Sequence, residues 1–186
     1  DLILHVGGYF DQEDMNGPQI MYNQLEKRDS VNLNYIVLGP WNHGQWESSK
    51  ADSIGKINFE SNTADWFQDL EKQWFDYWLK GIDNGIVAEP RCRMFLMGEN
   101  RWIESNAFPI DQSSEKIFFL ASDGSANSLL GQGKLSETQS SSTPSDTFTY
   151  NPAHPAPTPF WKENFQNGTN EDLRSIQRRD DVLVFT

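Results

Sequence analysis

Cys92 is the only cysteine in the 186 residues, so no disulfide can form within the chain. It sits in the apolar run Cys92-Arg93-Met94-Phe95-Leu96-Met97, which reads as a buried, inert thiol. Histidine is nearly as scarce: His5, His43 and His154 are the full set. A zinc-type site needs several His or Cys close together, so neither a metal nor another cofactor is expected. Basic residues are few, with 15 Lys and Arg against 27 Asp and Glu, for a net charge of −12. That balance argues against nucleic acid and against an anionic membrane surface, both of which call for cations. No run approaches the ~20 apolar residues of a membrane span. A secretory leader is also absent, but the first residues already read as a strand, so that absence is silent about export. No Gly-x-Ser-x-Gly turn occurs. Ser125, in Asp123-Gly124-Ser125-Ala126, lies in a polar stretch without the strand–turn–helix setting of a nucleophile. The sequon Asn167-Gly168-Thr169 is weak evidence and carries no weight.

Aromatic residues are plentiful. Twelve Phe and seven Trp fit a core rich in rings or an aromatic-lined cleft. Leu2–Val6 is a short apolar run ending at Gly7-Gly8, which suits a strand buried on both faces. Gly17-Pro18 opens a helix with Ile20, Met21 and Leu25 on one face. Asn34–Leu38 is the next strand, ending at Gly39-Pro40. Strand, helix and strand in that order make a βαβ unit. The clearest helix spans Thr63–Lys80, with Asn62 as N-cap and Gly81 as stop. Its stripe of Trp66, Phe67, Leu70, Trp74, Tyr77 and Trp78 should pack on the sheet beside the loop that carries His43.

Gly81–Pro90 reads as a connector, which divides the chain into a part over 1–88 and a part over 89–186. Beyond it, Arg91–Met97, Arg101–Glu104, Lys116–Ala121, Thr147–Tyr150 and Asp181–Phe185 are strand-like runs. They suggest an incomplete β-sandwich of jelly-roll type, with Ser122–Ser145 mostly a surface loop. The fold class is therefore α/β followed by all-β. A chain beginning at a buried parallel strand is expected to be marginally stable alone.

Asp11 and His43 are the candidate catalytic pair. Each follows a predicted strand by a few residues, in the position where loops line the crevice of an open α/β sheet. An acid and an imidazole in that order fit the last two members of a Ser, Asp, His series. Pro40 stiffens the approach to His43, Gly44 relaxes the exit, and Trp41 can pack beneath. The competing readings are a turn Asp capping a helix and a surface or metal-binding histidine. Glu13 and Asp14 admit two readings of equal weight: a pocket for a substrate ammonium, or a solvated acidic turn at a helix start. His5, within a strand, and His154, in a proline stretch, read as structural.

Gly8-Tyr9-Phe10-Asp11, Gly39-Pro40-Trp41-Asn42-His43 and Met97-Gly98-Glu99-Asn100-Arg101-Trp102 resemble the cocaine esterase/X-Pro dipeptidyl peptidase family of α/β-hydrolases. Within it, Asp11-Gln12-Glu13-Asp14-Met15 is similar to the α-amino acid ester hydrolases. Asn151–Pro155 and Asp181–Phe185 resemble stretches of the family's C-terminal jelly roll, though more loosely. The resemblance implies a Ser-His-Asp triad, with Asp11 as acid and His43 as base, and a nucleophile outside this chain. It also implies that Glu13 and Asp14 belong to a carboxylate cluster for the substrate's α-ammonium. The implied partners are a small α-amino acyl ester or amide and the N-terminal part of the same protein, with a homo-oligomer open and a periplasmic or secreted location. Two other readings stand beside it: an X-Pro peptidase or general esterase with the same triad, and a non-catalytic β-sandwich module that contacts sugar or another subunit.

Overall fold

The run after Leu2 forms strand β1 (Ile3–Gly8), and the run after Leu33 forms β2 (Asn34–Gly39). The two are parallel, with Ile3 opposite Asn34 and Gly8 opposite Gly39. A parallel pair needs a crossover, which helix α1 (Gly17–Glu26) supplies. Beyond β2 come a 3₁₀ turn at Gln45–Glu47 and a small hairpin of β3 (Ser53–Ile54) and β4 (Ile57–Asn58). Helix α2 (Thr63–Lys80) follows. The computed structural model describes residues 2–48, 50–110, 113–142, 144–157 and 173–186, so the sequon at 167–169 lies outside the described residues.

All six residues of β2 are buried, and they alternate between two cores. Tyr35 and Val37 join Phe67, Leu70 and Trp74 of α2. Ile36 and Leu38 join Tyr22 of α1 and Cys92. Alternate side chains of a strand point to opposite faces, so the two helices cover opposite faces of the sheet. Helix α2 has the predicted bounds for local reasons. Asn62 accepts a hydrogen bond from the Ala64 N–H at 3.2 Å, and Gly81 takes a left-handed φ of 69°. Its stripe is also as predicted, with Trp74 edge-on to Tyr35 at a centroid distance of 4.8 Å.

Helix α1 exists, but its buried face is not the one predicted. Ile20 and Met21 are exposed, and Tyr22 is fully buried. The Tyr22 hydroxyl meets Cys92 Sγ at 3.1 Å, and its ring stands edge-on to His5 and Phe108. A ring that fills a gap between strand and helix, with its polar tip satisfied, outweighs the aliphatic stripe.

The segment 81–90 is no open connector. Ile86, in a 3₁₀ turn at Ile86–Ala88, is buried in the α2 core. Strand β5 (Cys92–Leu96) then joins the same sheet, parallel to β2, with Ile36 opposite Cys92. Strand β6 (Arg101–Ser105) returns antiparallel to it, giving the order β1-β2-β5-β6. The sheet thus runs across the expected division after residue 88, and the compact units into which the chain separates meet between Ser113 and Ser114.

Among the described residues, the second unit holds one two-stranded ladder, β7 (Phe119–Ala121) with β8 (Lys134–Ser136). Thr147–Tyr150 forms no strand, and Asp181–Phe185 contributes a single bridge, Asn127 to Leu183. The expected surface loop 122–145 contains β8 and the fully buried Ala126. The chain's last residues still run alongside it: Val184 N–H donates to Ala126 O at 2.9 Å, and Leu135 N–H to Thr186 O at 3.1 Å. Regular pairing is broken where Gly131 and Gly133 lie so close to other backbone that a Cβ would stand 2.2 and 2.0 Å from a carbonyl oxygen.

Candidate active site

Strands β1 and β2 end side by side at Gly8 and Gly39, and both candidate residues lie just beyond. The hydrogen bonding of the parallel pair continues past the strands. Tyr9 N–H donates to Gly39 O at 3.0 Å, and Phe10 N–H donates to Trp41 O at 3.0 Å. These two links bring the loop of Asp11 against the loop of His43. The approach depends on glycine: a Cβ on Gly8 would stand 2.3 Å from Trp41 O, and one on Gly39 would stand 2.4 Å from the indole ring.

His43 Nδ1 lies 3.2 Å from Asp11 Oδ1 and 3.1 Å from Oδ2. Asp11 is fully buried, whereas the His43 side chain is 39% exposed. A buried carboxylate must be compensated by hydrogen bonds. Here Oδ1 also accepts the N–H groups of Glu13 at 2.8 Å and Asp14 at 2.9 Å. The chain's own turn therefore holds the carboxylate, and the carboxylate holds the ring. An ionised carboxylate only accepts, so Nδ1 carries the proton and the basic lone pair sits on Nε2.

The Asp14 carboxylate lies 3.6 Å from His43 Nδ1 and is largely exposed. Glu13 is exposed as well. The two acids fall in the turn ahead of α1, whose first turn contains no acidic residue, so a helix-dipole role does not account for them. The surroundings raise the His43 pKa above its ordinary value. The hydrogen bond to Asp11 contributes most, followed by the Asp11 charge; desolvation opposes them, and the charges of Glu13 and Asp14 add the smallest contributions.

Asp11, Asp14 and His43 each offer a ligand atom within 4.8 Å of the others, a donor set able to hold a cation. The Asp11 oxygens are already engaged by three protein donors, which competes with a metal for the same lone pairs. His5 sits within β1, outside this site. His5 is buried with Nε2 3.0 Å from Asn34 Oδ1, and burial lowers its pKa. His154 is exposed in the second unit, as is Ser125, which bonds to Asp123.

Sequence reasoning placed Trp41 beneath His43 but missed what surrounds it. Thr63 and Asn62 reach back to the loop from the start of α2, and Gln45 bridges it, accepting from Asn42 N–H at 3.1 Å and donating to Ser53 O at 2.9 Å. An N-cap pair beside a long loop is the one signal that pointed there.

Residues 84–186 match the family model described as the X-Pro dipeptidyl-peptidase C-terminal non-catalytic domain. That segment begins after both Asp11 and His43. Cocaine esterase from Rhodococcus sp. (strain MB1 Bresler) is 32% identical over 157 residues, covering 81% of this chain and 26% of the esterase. The crystal structure of an aminopeptidase from a marine sediment archaeon, Thaumarchaeota archaeon, superposes with a TM-score of 0.75 at 29% identity, over 99% of this chain and 30% of that one. A selenomethionine-labelled α-amino acid ester hydrolase gives a TM-score of 0.57 at 32% identity, over 73% of this chain and 21% of that one. The chain thus spans about a quarter of the length of these relatives. From the matched domain and these relatives, the chain belongs to the cocaine esterase/X-Pro dipeptidyl peptidase family of serine hydrolases, whose C-terminal portion it matches.

Proposed function

We propose that this chain supplies the acid and the base of a Ser-His-Asp hydrolase acting on α-amino acyl esters or amides. The observation that carries the reading is the His43 Nδ1 contact with the buried Asp11 carboxylate at 3.1 Å, beyond the ends of adjacent parallel strands. In this reading residues 1–88 belong to an α/β-hydrolase domain and residues 89–186 to a jelly-roll domain, with β5 and β6 extending the hydrolase sheet across that division. The nucleophilic serine and the oxyanion donors come from another part of the complete enzyme.

The chemistry follows from the geometry. Asp11 fixes the tautomer, so Nε2 takes the serine proton as the hydroxyl attacks the carbonyl carbon. The imidazolium formed faces Asp11, Glu13 and Asp14, all of which favour the charged ring. The ring then protonates the leaving alcohol or amine, and activates water or a second amine for release of the acyl group. Glu13 and Asp14, exposed beside the ring, attract the substrate's α-ammonium toward the reacting carbonyl. An ion pair of modest strength there selects amino-acyl over plain acyl groups by about tenfold.

The test is a pair of variants in the complete enzyme. Asp11→Asn lowers kcat by about 10⁴-fold, because the amide presents the wrong partner to Nδ1. Glu13→Gln with Asp14→Asn leaves plain esters nearly untouched and removes the preference for α-amino esters. Full activity in the first variant sinks the triad. Unchanged selectivity in the second sinks the ammonium pocket and favours a general esterase or X-Pro peptidase. The non-catalytic description of the matched domain favours a different role for residues 84–186, as a module attached to the hydrolase.

A further inference from the structure

The loop carrying His43 leaves the sheet at Pro40 and runs to Ala51, ahead of the β3–β4 hairpin, and both ends meet one side chain. The Trp41 Nε1–H donates to Thr63 Oγ1 at 2.8 Å. The Thr63 hydroxyl in turn donates to Ala51 O at 2.6 Å, and the Thr63 N–H donates to the same oxygen at 3.0 Å. Thr63 is the first residue of α2 and is fully buried, as is Trp41. The hydroxyl is therefore acceptor for one end of the loop and donor to the other.

Trp41 has a second connection that gives this arrangement consequence. Its carbonyl accepts the Phe10 N–H, and Phe10 immediately precedes Asp11. His43 follows Trp41 by two residues. One residue is thus tied to both sides of the Asp11–His43 contact, and its ring lies against Gly39, Phe67 and Trp102 with little room to move.

We propose that Thr63 is a positioning residue for His43, acting through Trp41: its hydroxyl ties both ends of the histidine loop to the start of α2 and sets the imidazole against Asp11. The inference rests on the acid–base pairing proposed above. Removing the hydroxyl leaves a buried indole N–H without its acceptor and takes one of two donors from Ala51 O. The indole then shifts to find another partner, and the loop moves with it.

The experiment follows His43 by NMR titration in the intact protein, where three histidines make assignment simple. In the wild type, His43 titrates above the ordinary value of about 6.5. Thr63→Val and Trp41→Phe each bring it back toward that value. Thr63→Ser, which keeps the hydroxyl, retains the wild-type titration. The double variant Trp41→Phe/Thr63→Val shifts the titration no further than Thr63→Val alone, because that variant has already lost the indole–hydroxyl bond. In the complete enzyme both single variants lower kcat by about 10- to 100-fold with KM little changed. A merely structural role lowers thermal stability and leaves the titration where it was. If Thr63→Val fails to fold, Trp41→Phe, which keeps a ring in the core, carries the comparison. Folded variants whose His43 titrates as in the wild type overturn the inference. A wild-type His43 at its ordinary pKa overturns the acid–base pairing instead.

Discussion

The two compact units of this chain are held together by different means. Residues 2–113 contain almost every buried apolar side chain among the described residues, gathered in clusters around Trp41, Tyr22 and Phe59. The second unit has one, Ala126. There the organising group is the Asp146 carboxylate, which accepts from Ser122 Oγ at 2.7 and 2.6 Å and from the Ala126 N–H at 2.7 Å. Leu120, Leu130, Phe148 and Tyr150 are exposed in this unit. The first unit rests on burial of apolar area, and the second on polar clamps over backbone. The Asp11–His43 contact lies in the unit with the packed core.

The sharpest way to break the comparison is Trp74→Ala. Truncating a core indole costs about 3–5 kcal/mol. Amides of β2 and α2 should lose hydrogen-exchange protection together, while those of β7 and β8 keep theirs. Equal loss in both would show that the units share one core. A smaller effect is expected from Asp146→Ala, about 1–3 kcal/mol, from the donors it leaves without an acceptor. It should expose the Ala126 amide to exchange and leave the thermal midpoint of the first unit unchanged. A drop in that midpoint would contradict the division.

The smallest effect is the dependence on pH, and it separates two histidines within the first unit. The His43 pKa is raised, so its attraction to Asp11 stabilises the fold below about pH 6.5 and is lost as pH rises through the raised value. The His5 pKa is lowered, so its contribution is present above about pH 6.5 and is lost as pH falls through the lowered value. Urea unfolding across this range should show His43→Ala destabilising most on the acid side. His5→Phe should remove the acid sensitivity. The same slope in both variants would mean that the two rings do not differ in environment.

What could be read from the sequence was local. Asn62 and Gly81 marked the ends of α2 because a cap and a left-handed stop act within a few residues of themselves. Asp11 and His43 were legible because each follows an apolar run that becomes a strand, and parallel strands set their loops side by side. Tyr22 was not legible as the buried face of α1, since its partner Cys92 is 70 residues away. Ile86 looked like part of a linker for the same reason: its burial depends on α2 folding back. Thr63 gave no sign beyond its place in the helix, because its function lies in contacts with residues 12 and 22 positions earlier. Of the strand-like runs in the second unit, Lys116–Ala121 holds β7, and Thr147–Tyr150 forms no strand. Alternation predicts which side of a strand is wet, and says nothing about whether a partner strand is there to pair with.

The anchoring of Asp11 by main-chain N–H groups of residues 13 and 14 has a consequence for how such an enzyme diversifies. Backbone amides are common to every amino acid except proline, so the acid keeps its seat whatever side chains stand at those two positions. Under the proposed function, recognition would thereby be uncoupled from bond-breaking within four consecutive residues. A lineage could exchange the groups at 13 and 14 to greet a new substrate, and only a proline at either position would disturb the acid next door.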